Sequence, residues 1–467
     1  QVQCVVPVFI LLHTPASSSS AAGSSPLKSL FQYIDDHQDQ FIQRLAEWVA
    51  VQSESSDPAK WIEVEKMLNI TAQRIREMGG SVELADVGTQ QLSSGAVVPV
   101  PPVLLAEFPG DPKKATLCIY GHVDVQPAKK EDGWATNPYN LTEISGNLYG
   151  RGATDNKGPV LAWLHAVEVY QAIDITQYFF ADVDYIVISD SVWASRNPAL
   201  TYGARGSSYF FVEVDGPVDD FHSGVYGGSI HEPMTDLIAL LASLVDHTGK
   251  ILIPGVTDDV VPLTDSERKT YQNISFDLED MKKVVGVKHF LQDTKVKVLM
   301  ARWRHPSLSI HGIQGAFSEP GIKTVIPGRV IGKFSIRHVP SMNPPDVERK
   351  VQEHLKQVFN GLRSPNRMKV TSAIGAKPWV GKLCDNQYVA GGKAIKNVFG
   401  MEPELIREGS TVPILQDFQE VTGKSVMMLP IGGHDDGEHS KNEKISRYNF
   451  IEGTKLFAAY IYELSQV

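Results

Sequence analysis

The sequence predicts an α/β protein: a mostly parallel sheet flanked by helices, interrupted by an inserted α+β domain of split βαβ, ferredoxin-like type. Three observations carry this. Helical apolar periodicity alternates with short buried-strand runs in the first part of the chain. A strand–helix–strand–strand–helix–strand rhythm occupies roughly residues 206–372. Groups of His and Asp type stand where apolar strands end, the place where open α/β sheets bind ligands.

The chain has 467 residues, and at about 150 residues per domain this allows two to three cores. Its 44 basic and 54 acidic side chains leave a net charge of −10 with no long Lys/Arg block. Nucleic acid and anionic membrane are therefore not expected partners, since both require a basic surface. Three cysteines cannot build a disulfide framework, so packed cores must supply the stability.

At the start, the apolar stretch Val5 to Leu12 precedes a run of small residues, Ala16 to Gly23. That order resembles a truncated secretory leader, so residues 1–25 are expected to lie outside the fold. Sequons at Asn69, Asn140 and Asn273 fit a secreted protein; a cytoplasmic one is the alternative. From there, residues 26–205 are expected to form the first part of the main domain. Leu30 to Val51 places Phe31, Ile34, Phe41, Leu45 and Trp48 at mostly helical spacing, and Trp61 to Met78 repeats the pattern before Gly79-Gly80. Val97 to Leu105 is extended by its prolines, and Ala115 to Tyr120 predicts a buried strand. A helix over Val160 to Tyr170 and a strand over Asp184 to Ser189 follow.

The inserted domain, 206–372, is predicted from the strand Ser208 to Val214, the helix Glu232 to Val245, strands Leu308 to Ile313 and Val330 to Val339, the helix Pro345 to Leu362 and the strand Met368 to Ala373. Residues 373–467 then return to the main domain. Cys118 falls in a strand and Cys384 is a lone thiol; neither has metal or redox spacing.

His122 and Asp124 follow a strand and, two apart, face the same way; imidazole beside carboxylate suits a divalent metal, though the pair reads equally as a polar turn. Asp155, framed by glycines in Gly150-Arg-Gly-Ala-Thr-Asp-Asn-Lys-Gly158, either bridges cations or caps the next helix. Asp190 ends a third strand, and His434 to Glu443 forms a further His/Asp/Glu group. Together the four groups favour a metal hydrolase.

His122-Val-Asp124, Gly150 to Gly158, Ile188-Ser-Asp190, Asp220-Phe-His-Ser-Gly224 and Gly437-Glu-His-Ser440 resemble the M20 metallopeptidase family. Within it the chain is similar to the carnosine (β-Ala-His) dipeptidase branch, nearer its secreted members. The likeness runs through nearly all of residues 28–467. It implies a zinc-peptidase-like sheet with a lid and dimerisation domain, two Zn2+ ions per subunit, and hydrolysis of Xaa-His dipeptides. By that resemblance His122, Asp155 and Asp190 hold one zinc, Asp155 and His439 contribute to the other, and Asp124 orients a ligand. His222 is lent across a homodimer interface to polarise the scissile carbonyl, while Thr324, Arg337 and Ser410 hold the substrate.

One implied part is missing. The family carries a strand ending in Glu-Glu, supplying general base and metal ligand, before the next aspartate ligand. Here no Glu lies between Val169 and Phe211, and Glu168 belongs to the preceding helix. The expectation is one compromised metal site and depressed catalysis. The alternative is an inactive homologue or splice form acting through dimerisation or binding alone.

Overall fold

A computed structural model describes residues 6–13, 26–91, 97–108, 115–172 and 183–467. The main domain is a nine-stranded sheet. Its path runs Trp379–Val380, Ala199–Ala204, Ser425–Met428, Tyr185–Ile188, Thr116–His122, Pro7–His13, Val103–Glu107, Ser81–Ala85, and Glu404–Glu408 pairs with Ala199–Ala204 off this path. Ser425–Met428, Tyr185–Ile188 and Thr116–His122 run parallel, so their carboxyl ends converge at one rim. The sheet is mixed beyond them, because Pro7–His13 enters antiparallel to Thr116–His122 and Ser81–Ala85 runs antiparallel to Val103–Glu107.

Pro7–His13 corrects the expectation that residues 1–25 stand outside the fold. The strand lies in the middle of the sheet, parallel to Val103–Glu107 and antiparallel to Thr116–His122. Alternation sends Val8, Ile10 and Leu12, none more than 6% exposed, into the core beside Leu30 and Ile34. Phe9 and Leu11 pack on the opposite face, where Phe9 meets Tyr120 and Phe418 edge-on at 5.4 and 5.6 Å. Helices Pro26–Val49, Lys157–Ala172 and Arg447–Leu464 cover the first face, with Trp163 stacked on Phe457 at 3.9 Å.

The inserted sheet is antiparallel, in the order Ser307–Gln314, Arg329–His338, Gly206–Asp215, Arg367–Ala376, its last strand running past residue 372. Helices Pro233–Ala242 and Pro344–Leu362 close one face over Phe210, Val212, Phe334 and Ile336. Sequence periodicity did not reveal the short helices Asp265–Asn273, Leu278–Val285 and Lys295–Trp303. With Phe276 of the connection between the first two, they pack Tyr271, Leu299 and Trp303 against Trp193, Ala199 and Ile406 of the main domain, seating the insertion beside the rim. Among the described residues no helix is long and apolar enough to cross a membrane.

Candidate metal centre

Three carboxyl-end groups converge at the rim. His122 closes its strand, Asp190 follows Tyr185–Ile188, and Asp155 comes from the turn before the Lys157–Ala172 helix. His122 Nε2 lies 3.0 Å from Asp155 Oδ1 and 3.6 Å from Asp190 Oδ1. One ligand atom from each of the three residues falls within 4.8 Å of the others. The second oxygen of Asp155 meets His439 Nε2 at 2.9 Å, so this carboxylate stands between two imidazoles.

Asp124 orients the other side of the first imidazole. His122 Nδ1 lies 3.1 Å from the Asp124 carbonyl and 3.4 Å from its Oδ1. The Asp124 carboxylate accepts the Val6 amide at 2.7 Å and the Ser55 hydroxyl at 2.5 Å. A fixed partner on the far nitrogen sets ring direction and tautomer, leaving Nε2 for a cation.

The turn holding Asp155 is braced from the far end of the chain. Glu443 Oε1 accepts the amides of Gly152, Thr154 and Asp155 at 3.1, 3.2 and 3.0 Å. Asn156 spans the neighbouring strands, accepting the His122 amide at 3.3 Å and donating to the Ser189 carbonyl at 2.7 Å. Sequence reasoning singled out neither residue, although both stand in the quoted motifs. Glu443 could have been suspected from its place in a loop of His/Asp/Glu type.

Charge at the cluster favours a cation. Burial works against a charged His122 ring, yet hydrogen bonds to Asp124, Asp155 and Asp190 raise it well above the ordinary histidine range. Asp155 is held below the usual carboxylate range, the two imidazoles outweighing burial. Burial, with the charges of Glu408, Asp155, Asp190 and Glu443, pushes Glu438 well up. The pull that draws protons to the imidazoles acts equally on a divalent metal. One nitrogen and carboxylate oxygens from two residues form a donor set that fits such an ion; the pair Asp155 and His439 falls short of a complete second site.

No glutamate joins the His122, Asp155 and Asp190 ligand cluster among the described residues. Glu168 is bound by Arg44 at 2.5 Å and Arg74 at 2.6 Å, a partly buried ion-pair role rather than a solvated one. Asp184, at the opposite end of its strand, accepts the Thr116 amide at 3.0 Å. Asp174 and Asp182, other conceivable replacements, lie outside the described residues.

The remaining sequence-derived residues form two groups. Arg337 donates to the Thr411 hydroxyl, joining the inserted domain to the loop that holds Ser410, whose amide bonds Glu408 Oε1 at 2.9 Å. His222 pairs with Val325, next to Thr324, and accepts the Gly224 amide at 2.9 Å within its own domain. It is exposed and makes no bond to the cluster among the described residues. A cleft of about 390 Å³ beside the rim is lined by Trp193, Arg196, Asp280 and His434, not by the cluster ligands.

A rim of His and Asp at the carboxyl ends of parallel strands, with an inserted α+β domain alongside, defines a metal-dependent hydrolase of the zinc-peptidase type. The chain belongs to peptidase family M20/M25/M40, which matches residues 118–463, and is a peptide hydrolase by family. It is 52% identical to the Beta-Ala-His dipeptidase of Homo sapiens, over 98% of this chain and 97% of that protein. It is 41% identical to the Cys-Gly metallodipeptidase of Schizosaccharomyces pombe, over 94% and 99% respectively. The crystal structure of human carnosine dipeptidase 1 superposes with a TM-score of 0.89 at 52% identity, covering 95% of this chain and all of that one.

Proposed function

We propose that this chain is a metallodipeptidase homologue directed at Xaa-His dipeptides such as carnosine, holding one tight Zn2+ per chain and turning substrate over slowly. The observation that carries this is the unequal donor count around Asp155: His122 and Asp190 on one side, His439 alone on the other. When bound, the metal polarises the scissile carbonyl and lowers the pKa of a water. His122, Asp155 and Asp190 hold the ion, and Asp124 keeps the His122 ring aimed. Arg337, Thr324 and Ser410 bind the dipeptide, the planar guanidinium suiting its terminal carboxylate. The Glu-Glu pair of the family is absent between Val169 and Phe211, and loss of a positioned base for the water costs about 10²–10⁴ in rate.

The proposal includes a homodimer in which His222 reaches the partner's site. Its exposure, the bare Val218 and Val225 flanking it in sequence, and the bare Ile322 just before its strand partner Val325 support that placement. Secretion is supported by exposure of the three sequon asparagines. If turnover is negligible, dimerisation or binding through the inserted domain is the remaining role, favoured by the missing base.

Metal analysis and carnosine hydrolysis, measured beside the human relative, test the reading. One zinc per chain with strongly reduced turnover is expected; two zinc ions with ordinary turnover overturn it.

A further inference from the structure

We propose that the slot between Val103–Glu107 and Thr116–His122 is a binding site for an extended apolar segment. This chain fills it with its own residues 6–13, and the filled slot positions Asp124. Both walls have support of their own. Val103–Glu107 pairs on its other edge with Ser81–Ala85, and Thr116–His122 with Tyr185–Ile188. Without the insert each wall would present a row of unpaired amides and carbonyls in mid-sheet, which buried backbone does not tolerate. An extended segment satisfies both rows, and its alternate side chains enter separate pockets. Val8, Ile10 and Leu12 enter the helix-covered face, while Phe9 and Leu11 meet the aromatic face. The ligand class is therefore an uncharged apolar strand of about seven residues, two strand spacings being spanned by one chain.

Register ties this segment to the metal centre. Pro7 lies opposite His122, the Val6 carbonyl accepts the Val123 amide at 3.3 Å, and the Val6 amide donates to Asp124 Oδ1 at 2.7 Å. The segment thus repairs the sheet around an implied strand that the chain lacks, but it brings no carboxylate to the rim. His13, opposite Thr116, stands at the far end. Backbone pairing is restored and the missing base is not. Val6 acts as a positioning residue through its N–H, a step that rests on Asp124 orienting a metal ligand.

The test uses the full chain with a site-specific protease sequence placed between His13 and Pro26. After cleavage the piece carrying residues 6–13 is expected to co-elute with the body. In dilute denaturant it should exchange for a fluorescent peptide of the same sequence, but not for one carrying Ile10→Asp. A piece that elutes alone, leaving the unfolding midpoint unchanged, overturns the slot. Separately, Val6→Pro in the uncut chain should weaken Zn2+ binding about tenfold relative to Val6→Ala, which also trims the buried side chain but retains the N–H and should keep the affinity of the parent. Equal affinity in the proline variant overturns the positioning role. Absence of zinc binding in the wild type would sink the metal reading, while peptide retention still decides the slot.

Discussion

Arg151 and Glu443 form an ion pair at 2.6 Å with side chains only 4% and 0% exposed, joining the turn that holds Asp155 to the loop that holds His439. Burial and the nearby Asp155 charge raise the Glu443 carboxyl to about 7, against the pull of Arg151 and three amides. Arg151→Met leaves that carboxylate buried and unpaired. A loss of about 3–5 kcal/mol in denaturant unfolding is expected. A loss below about 1 kcal/mol would mean the pair is not the brace described.

Gly158 has no room for a side chain: an added Cβ would sit 2.0 Å from the Ala153 carbonyl oxygen. Gly158→Ala should therefore cost about 1–3 kcal/mol and displace the Asp155 turn. Unfolding midpoints together with zinc titration check this, and an unaffected zinc affinity would separate the turn from the site.

The two sides of Asp155 should differ in metal binding. Asp190→Ala removes a ligand of the richer side and should weaken zinc by more than about a hundredfold, beyond the loss of an outer partner. His439→Ala should leave the tight site in place. Titration calorimetry on both variants is the check, and the reverse ranking would assign the tight ion to the other side.

Without metal, stability should fall as pH rises from about 5 to about 8. His439 is raised by its bond to Asp155, and His122 is raised despite burial. Groups with raised folded pKa values stabilise fully below the unfolded value and lose that contribution as pH climbs through the folded one. Glu443, a raised carboxyl, acts in the same direction because the folded state resists its ionisation. Asp155, lowered, keeps its contribution across this window and loses it only in strong acid. Zinc affinity should rise over the same range as protons leave the imidazoles. A flat profile in thermal melts of metal-free protein would contradict the site electrostatics.

Passage through a secretory pathway should glycosylate Asn140 and Asn273. Asn69 is a poorer acceptor, because Thr71 of its sequon is fully buried and donates to the Met67 carbonyl at 2.9 Å. Mass shifts on enzymatic deglycosylation should correspond to two sites.

Much of the fold could be read from pattern. The helix over residues 30–51 and the strand before His122 follow from periodicity and from an apolar run bounded by turns. The inserted domain follows from its order of elements. The helices between 265 and 303 escaped because their partners, Trp193 and Ile406, are distant in sequence. At the site, residues that would touch a ligand stood out by type, whereas Asn156 and Glu443 act on backbone amides and carry no comparable signature.

Residues 7–13 mark the boundary between the two kinds of information. An apolar run followed by small residues has the same composition whether it is a leader or a buried strand, because both require only freedom from charge. What decides is a pair of strands, about a hundred residues away, whose facing edges need hydrogen-bond partners. Local chemistry, by contrast, determined that the Glu-Glu pair is missing: no packing can place a glutamate at a strand end between Val169 and Phe211 when that stretch encodes none. The tertiary structure decided that Asp155 stands between His122 and His439, since a turn, a strand end and a distant loop meet only after the sheet has formed.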